Sequence, residues 1–561
     1  MDIHLKFMDV DGTVKCKYFT SYFLGKSRAC DIFEKLSDVL SRIGAQKLIQ
    51  LSMDGPNVNW SVFKELTQEV QSMSPSHHSL LNIGSCGIHT THNSFKSGAT
   101  DSTWGLVDLL KFSYFLFNES PARREEFFKI TGSTKLPLPF CGHRWLENTP
   151  AAQRLIEIWP SICLYLKAVN EKKVSVPTCK SYVEVASFSN DKLLIAKLHS
   201  FVFVANILKP FLTYFQKDEP LSPFIYTSLF EICLRLYGLI TTSDFCDSLK
   251  SKGEIVLPKH VGVDSFLSER KVNVGFQASS IIKQFESDKK QQSVSPFQLK
   301  HFRQCFVKLV KGVLYKLIQK SPLKYPLSKF LTCIDPVVMQ NPEKAKHLFS
   351  SLTESFSDSK LITPDSVDGL RADYENFIDT INCSFNRHTD RLDHFYRDST
   401  CLSQYPALQS LFYIVLTLSH GNSDVERGFS VNREVTVENM YEETLVARRL
   451  ICQYVTDNDP ATVPLSKNMI FSCRKSYSSY NAALEKKREE KQEEEKSGSR
   501  RRKNEELAGL MSKKRKLELD IDTLRRDSDR MAERAEDAPA KFKHELIVML
   551  SEGPLQKNKA N

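Results

Sequence analysis

No two cysteines in the 561-residue chain are spaced C-x-x-C. The 14 cysteines are scattered, which excludes a four-cysteine zinc ribbon and argues against a disulfide framework, so a reducing compartment is expected. Long apolar runs are also lacking. The best, 201–215, is interrupted by Lys209 and Pro210 and is too short to span a bilayer, so no membrane partner is expected. The first ten residues mix Asp2, His4, Lys6 and Asp9 among apolar neighbours, unlike a secretory signal. No repeat of fixed period is present, and no small-molecule site is suggested. What remains is the composition of an ordinary soluble protein, 41% hydrophobic and 26% charged, long enough for several domains. The 77 basic and 67 acidic residues leave a net charge of +10, a mild bias toward acidic partners such as nucleic acid.

Near the start, Ile3, Leu5 and Phe7 alternate with polar or smaller residues, Asp11-Gly12 signals a turn, and Val14, Cys16 and Tyr18 alternate again. This predicts a hairpin. A helix over 28–43 and a third strand over 47–52 are expected next. The hairpin holds Asp9-Val-Asp11-Gly-Thr13-Val14, which resembles the nucleophile motif of haloacid-dehalogenase-like phosphatases. That resemblance implies Asp9 as nucleophile and Asp11 as acid/base at the end of a buried parallel strand. The alternating strand does not suit that setting. The later Gly-Asp or Asp-Asp pair for magnesium is also missing, so this reading stays a remote alternative.

The most informative stretch is 420–433. Asn422 and Ser423 suit a helix start, Val425 and Phe429 share a face, and Glu426 sits elsewhere on the same helix. A carboxylate there serves either as a metal ligand or in a structural ion pair. Asn422-Ser423-x-x-Glu426-Arg427-x-Phe429-Ser430 resembles the C-terminal motif of the hAT superfamily of cut-and-paste DNA transposases. Leu51-Ser-Met-Asp54-Gly-Pro-Asn57-Val-Asn59 is similar to that family's segment for the second catalytic aspartate, and Cys86-Gly-Ile-His89 to the C-x-x-H element that follows. Read alone, Asp54 fits an Asx-type turn, and Cys86 with His89 fit a packed, hydrogen-bonded pair. Those two residues are short of a zinc site, and His92 one helical step on would make three ligands.

From 102 to 418 the pattern is helical, with apolar helices expected around 106–115, 155–166, 192–215, 223–240, 297–318 and 408–418. It resembles the family's all-helical insertion. Arg144-Trp145 near its start is similar to a motif whose tryptophan stacks on a flipped base, and a core tryptophan beside a salt-bridged arginine is the plainer alternative. After Glu426, residues 443–454 place Leu445, Ala447, Leu450, Ile451 and Tyr454 on an apolar surface, with Arg448 and Arg449 exposed. With Phe429, this implies the family's dimerisation region, so a homodimer or higher oligomer is expected. In the charged tail Leu510, Leu517, Leu524 and Met531 recur every seventh residue, a short coiled-coil seam. The clusters Arg500, Arg501, Arg502, Lys503 and Lys513, Lys514, Arg515, Lys516 read as nuclear-import or phosphate-binding patches, against ordinary solvated charge.

The implied architecture is α/β plus α. It comprises a partial ribonuclease H-like domain (1–98), a helical insertion (99–405), a third-acid helix with a dimerisation region (406–460), a linker (461–484) and a coiled-coil tail (485–561). In the family the first acid lies on the strand preceding the hairpin, and the hairpin here begins at residue 3. The expectation is therefore a nuclear, transposase-derived protein that retains self-association and contact with DNA or chromatin, with Asp54 and Glu426 as vestigial metal-binding acids. No cofactor is expected, and Mg2+ only where the acid set is complete. The alternatives are a functional hAT-type transposase whose N-terminal part lies outside this sequence, and a cytoplasmic location.

Overall fold

The computed structural model describes residues 1–73, 78–287, 294–381, 384–458 and 462–536. Two strands, β1 (Asp2–Met8) and β2 (Val14–Ser21), pair antiparallel as the expected hairpin, with an irregularity between Ile3 and His4. Gly12 closes the turn in a left-handed conformation (φ 75°), donating its N–H to the Asp9 carbonyl, which is why glycine follows Asp11. Asp9 pairs with Lys15, and Asp11 accepts from the Thr13 N–H and hydroxyl. Both acids thus belong to a hairpin turn. The buried parallel strand that phosphatase chemistry requires is not found among the described residues.

The expected third strand is also not found. Ala45–Lys47 is a short 3-10 turn, and residues 48–54 run on without a regular ladder. Their backbone-to-backbone bonds to other segments are few among the described residues. The Ile49 carbonyl accepts from the Leu81 N–H and the Met53 carbonyl from the Cys86 N–H, while the Gln50 side chain bonds both the N–H and C=O of Ser419. The alternation of apolar residues is satisfied by packing, but two backbone bonds are too sparse to make a sheet. The sheet that is present among the described residues has two strands, and the rest of the folded body is helical.

Helices form where apolar periodicity predicts them: Ala29–Ile43, Leu106–Asn118, Thr149–Asn170, Leu194–Phe215, Ile225–Tyr237, Pro296–Lys320 and Pro406–Thr417. Leu194–Phe215 exceeds its apparent apolar run because the helix carries Pro210 within it. It is long and apolar enough to cross a membrane, yet its Leu198, Val204, Ala205 and Leu208 lie fully buried in the protein core. One continuous core runs from Val14 to Leu418, with a smaller cluster around Leu40, Leu66, Val70 and Leu80. The expected boundary at 98/99 falls inside the Gly87–Asp101 helix. That helix crosses Pro296–Lys320 at two glycines. A Cβ on Gly98 would meet the Leu309 carbonyl oxygen at 2.4 Å, and one on Gly312 would meet the Gly98 Cα at 2.9 Å. The two backbones approach closely because neither position has a side chain.

The hairpin is fixed to the helical body by a buried carboxylate. Asp393 accepts from the Val14 N–H at 2.8 Å and pairs with Arg391, which donates to the Val14 carbonyl at 3.0 Å. Residues 1–457 form one compact unit and those from 458 onward a second. In the second, Lys467–Glu536 is one continuous helix of 70 residues. The expected linker is therefore helical from 467, because residues 467–484 contain no Gly or Pro to stop it. The boundary at 460/461 and the last part of the tail, 537–561, lie outside the described residues.

Candidate functional site

Asp54 ends the extended stretch and precedes Gly55-Pro56, where the Asn57–Met73 helix begins. The bond from the Cys86 N–H to the Met53 carbonyl, 3.1 Å, sets the start of the Gly87–Asp101 helix beside it, and His89 follows one turn in. Glu426 arrives from the first turn of Ser423–Val435. Asn422 precedes that helix but does not cap it with its side chain, contrary to its sequence reading. Its amide instead donates to Asp54 Oδ1 at 3.0 Å and accepts from the Ser52 hydroxyl at 3.0 Å. Gly421 packs against Cys86, where an added Cβ would sit 2.9 Å from Sγ, so the absence of a side chain lets the two segments meet.

These segments bring five of the expected residues into one cluster. His89 Nδ1 lies 3.0 Å from Asp54 Oδ1, and His89 Nε2 lies 3.4 Å from Glu426 Oε1. Arg144 donates to Glu426 Oε2 at 2.6 Å. Asp54, Cys86 and His89 each offer a donor atom, and these lie within 4.8 Å of one another. The neighbouring Asp54 carboxylate and, next, the Cys86 sulfur push the His89 pKa up to about 10, against the opposing effect of burial. His89 and Arg144 thus place two cations against two carboxylates.

Arg144 is held by the 141–148 loop, which Asn148 closes by accepting from the Cys141 N–H and donating to its carbonyl. Trp145 turns the other way. It is 6% exposed, its indole N–H donates to the Gly142 carbonyl at 2.9 Å, Phe140 meets it edge-on, and the Lys96 ammonium lies 5.5 Å from the ring centre. The ring is a core group in this conformation, not an open stacking platform. His92 is also engaged elsewhere. Its Nδ1 accepts from the Leu146 N–H at 3.2 Å, and burial lowers its pKa to about 4, so Cys86, His89 and His92 do not form a three-ligand set.

The expected dimerisation surface is partly redrawn. Phe429, Leu450, Ile451 and Tyr454 are exposed, but Leu445 is buried. Arg449, expected in solvent, is 5% exposed. Its guanidinium lies 4.5 Å from the centre of the Tyr18 ring, above Gly428, whose lack of a side chain leaves the space. Helical spacing alone could not find this, because cation–ring burial carries no apolar signature. In the second unit Leu510, Leu517, Leu524 and Met531 are exposed along the helix, as are Arg500, Lys503 and Lys513, Lys514, Arg515, Lys516. The side chains of Arg501 and Arg502 lie outside those described. The contributions of Ser52, Asn148 and Asn422 were not legible in the sequence. Ser52 and Asn422 act by hydrogen bonding to a distant segment, and Asn148 by closing its own loop onto Cys141, and no apolar pattern records either. Neither protein-family models nor curated proteins match this chain.

Proposed function

We propose that this chain derives from a hAT-type DNA transposase and serves as a self-associating nuclear protein that contacts DNA or chromatin without cutting it. The observation that carries this reading is the meeting of Asp54, His89, Arg144 and Glu426. These residues come from segments up to 372 positions apart in sequence, each of which resembles a motif of that family. A structural ion pair alone would not require the four motifs to converge. The reading denies strand transfer for an electrostatic reason. Two-metal chemistry needs acidic oxygens for two divalent ions about 3.5–4 Å apart. Here the two carboxylates are already balanced by His89 and Arg144. A ribonuclease H-like ancestry and a coiled-coil role for the tail belong to the same proposal.

A second reading keeps an active transposase, with its first acid supplied on a strand outside this sequence. A cavity of about 990 Å³ favours it. The cavity lies against the residues of β1, Val39, Leu51 and Leu418, beside Asp54. Coding sequence upstream of residue 1 separates the two, because only the second reading requires a further strand ending in aspartate there, and strand cleavage tests the first. Purified protein is incubated with plasmid and duplex oligonucleotides in Mg2+ or Mn2+. No cleavage or joining is expected. Cleavage that disappears in Glu426→Gln would overturn the first reading and support the second.

A further inference from the structure

We infer that Asp54, Cys86 and His89 form a binding site for one transition-metal dication of the zinc class, with an open fourth position. The inference stands on the donor set and does not depend on transposase ancestry. Cys86 supplies a thiol, His89 an imidazole and Asp54 a carboxylate, with donor atoms within 4.8 Å of one another. A tetrahedral zinc centre holds its donors roughly 3.3–3.8 Å apart, a contraction within reach of side-chain rotation. Magnesium is poorly matched, because it prefers six oxygens in a near-octahedral shell, whereas sulfur and nitrogen favour zinc, cobalt or their neighbours.

The surroundings are arranged as around a ligating histidine. His89 Nδ1 is buried and lies 3.0 Å from Asp54 Oδ1, so an ion that displaces the Nδ1 proton meets both the imidazole lone pair and that oxygen. The other ring nitrogen faces Glu426 Oε1 at 3.4 Å, itself buried and without a hydrogen-bond partner. A carboxylate on the far nitrogen fixes the tautomer and raises the basicity of the near one. Arg144 holds Glu426 in place, and the Asn422 amide orients Asp54. Gly421 leaves Cys86 Sγ uncrowded on one side. Binding converts the thiol to thiolate and the imidazolium to imidazole, and both protons pass to solvent. Three protein ligands leave one position for water or an anionic ligand, as in open zinc sites.

The test is titration of the reduced, full-length protein with Co2+, followed by displacement with Zn2+. The expected result is one ion per chain with a tetrahedral visible spectrum and a thiolate-to-cobalt charge-transfer band, both lost when Zn2+ is added. Cys86→Ser should remove the charge-transfer band. His89→Gln should weaken binding at least 10-fold, and Glu426→Gln by roughly 10-fold. A wild-type protein without the band, or a band retained in Cys86→Ser, overturns the site and leaves an adventitious ion only. Cys86 is buried, so its variant is first checked for folding by circular dichroism. Should it unfold, His89→Gln decides the matter, since a full-strength cobalt spectrum in that variant overturns the site. Cleavage and light-scattering assays do not enter, so failure here is distinct from failure of the proposed function.

Discussion

Asn422 donates its side-chain amide to Asp54 Oδ1 at 3.0 Å across 368 positions of sequence. The bond joins two motifs that were each ambiguous alone. Asp54 could be a turn residue and Asn422 a helix cap, but together they place the start of the Glu426 helix beside the C-x-x-H turn. Replacing Asn422 with Ala should leave Asp54 without its amide donor and cost about 1 kcal/mol of stability, read as a lower urea midpoint. An unchanged midpoint would show the bond to be incidental.

The crossing of Gly87–Asp101 with Pro296–Lys320 depends on two missing side chains. Gly98→Ala and Gly312→Ala each force a methyl against backbone within 3 Å. Each should destabilise the folded body by about 1–3 kcal/mol. Ala is the better helix former, so on propensity alone both changes would stabilise. A rise in melting temperature would therefore count against the close contact.

Stability should fall as the pH drops below the usual histidine range. Burial lowers His4 and His92 to about 4 and His420 to about 3. Between about pH 6.5 and pH 4 the unfolded chain binds protons that the folded chain refuses, so unfolding gains. The contribution should be fully present above pH 6.5 and lost progressively below it. His420→Gln should flatten the slope of unfolding free energy against pH by about one proton at its steepest. A slope unchanged in that variant would refute the assignment.

Leu450 and Ile451 are exposed on a helix whose other face buries Leu445 and Arg449. Self-association through this surface predicts that wild-type protein is larger than a monomer at micromolar concentration. Replacing both residues with Asp should return it to monomer with an unchanged circular-dichroism spectrum, because both are exposed in the single chain. A monomeric wild type by light scattering would exclude the surface.

The tail helix carries two basic clusters and a seam of about three heptads, near the lower limit for a stable isolated coil. Alanine replacement of 500–503 and 513–516 should hold a tagged protein in the cytoplasm. Leu517→Pro should leave import intact and loosen only the coil. A cluster variant that still accumulates in nuclei would show the lysines and arginines to be solvated charge.

Much of the secondary structure was determined locally. The hairpin needed alternation and Asp11-Gly12, and the helices needed apolar spacing. Those signals survive in three dimensions because each is a local energetic preference. The tertiary structure decided whatever depended on distant partners. Residues 47–52 read as a strand, but a strand requires a neighbour to complete its hydrogen bonds, and among the described residues one backbone bond from another segment, Leu81 N–H to the Ile49 carbonyl, reaches it. Arg449 read as exposed, yet the Tyr18 ring and the space over Gly428 drew it inside. Trp145 read as either a base-stacking ring or a core group, and packing puts it in the core. At the candidate site the sequence supplied the residue types, an aspartate, a cysteine, a histidine, an arginine and a glutamate. Their meeting was set by packing between segments far apart in sequence, at contacts such as Gly421 against Cys86 and Gly98 against Gly312. A linear pattern records which chemistry is available, and only the fold brings those groups within a few ångströms of one another.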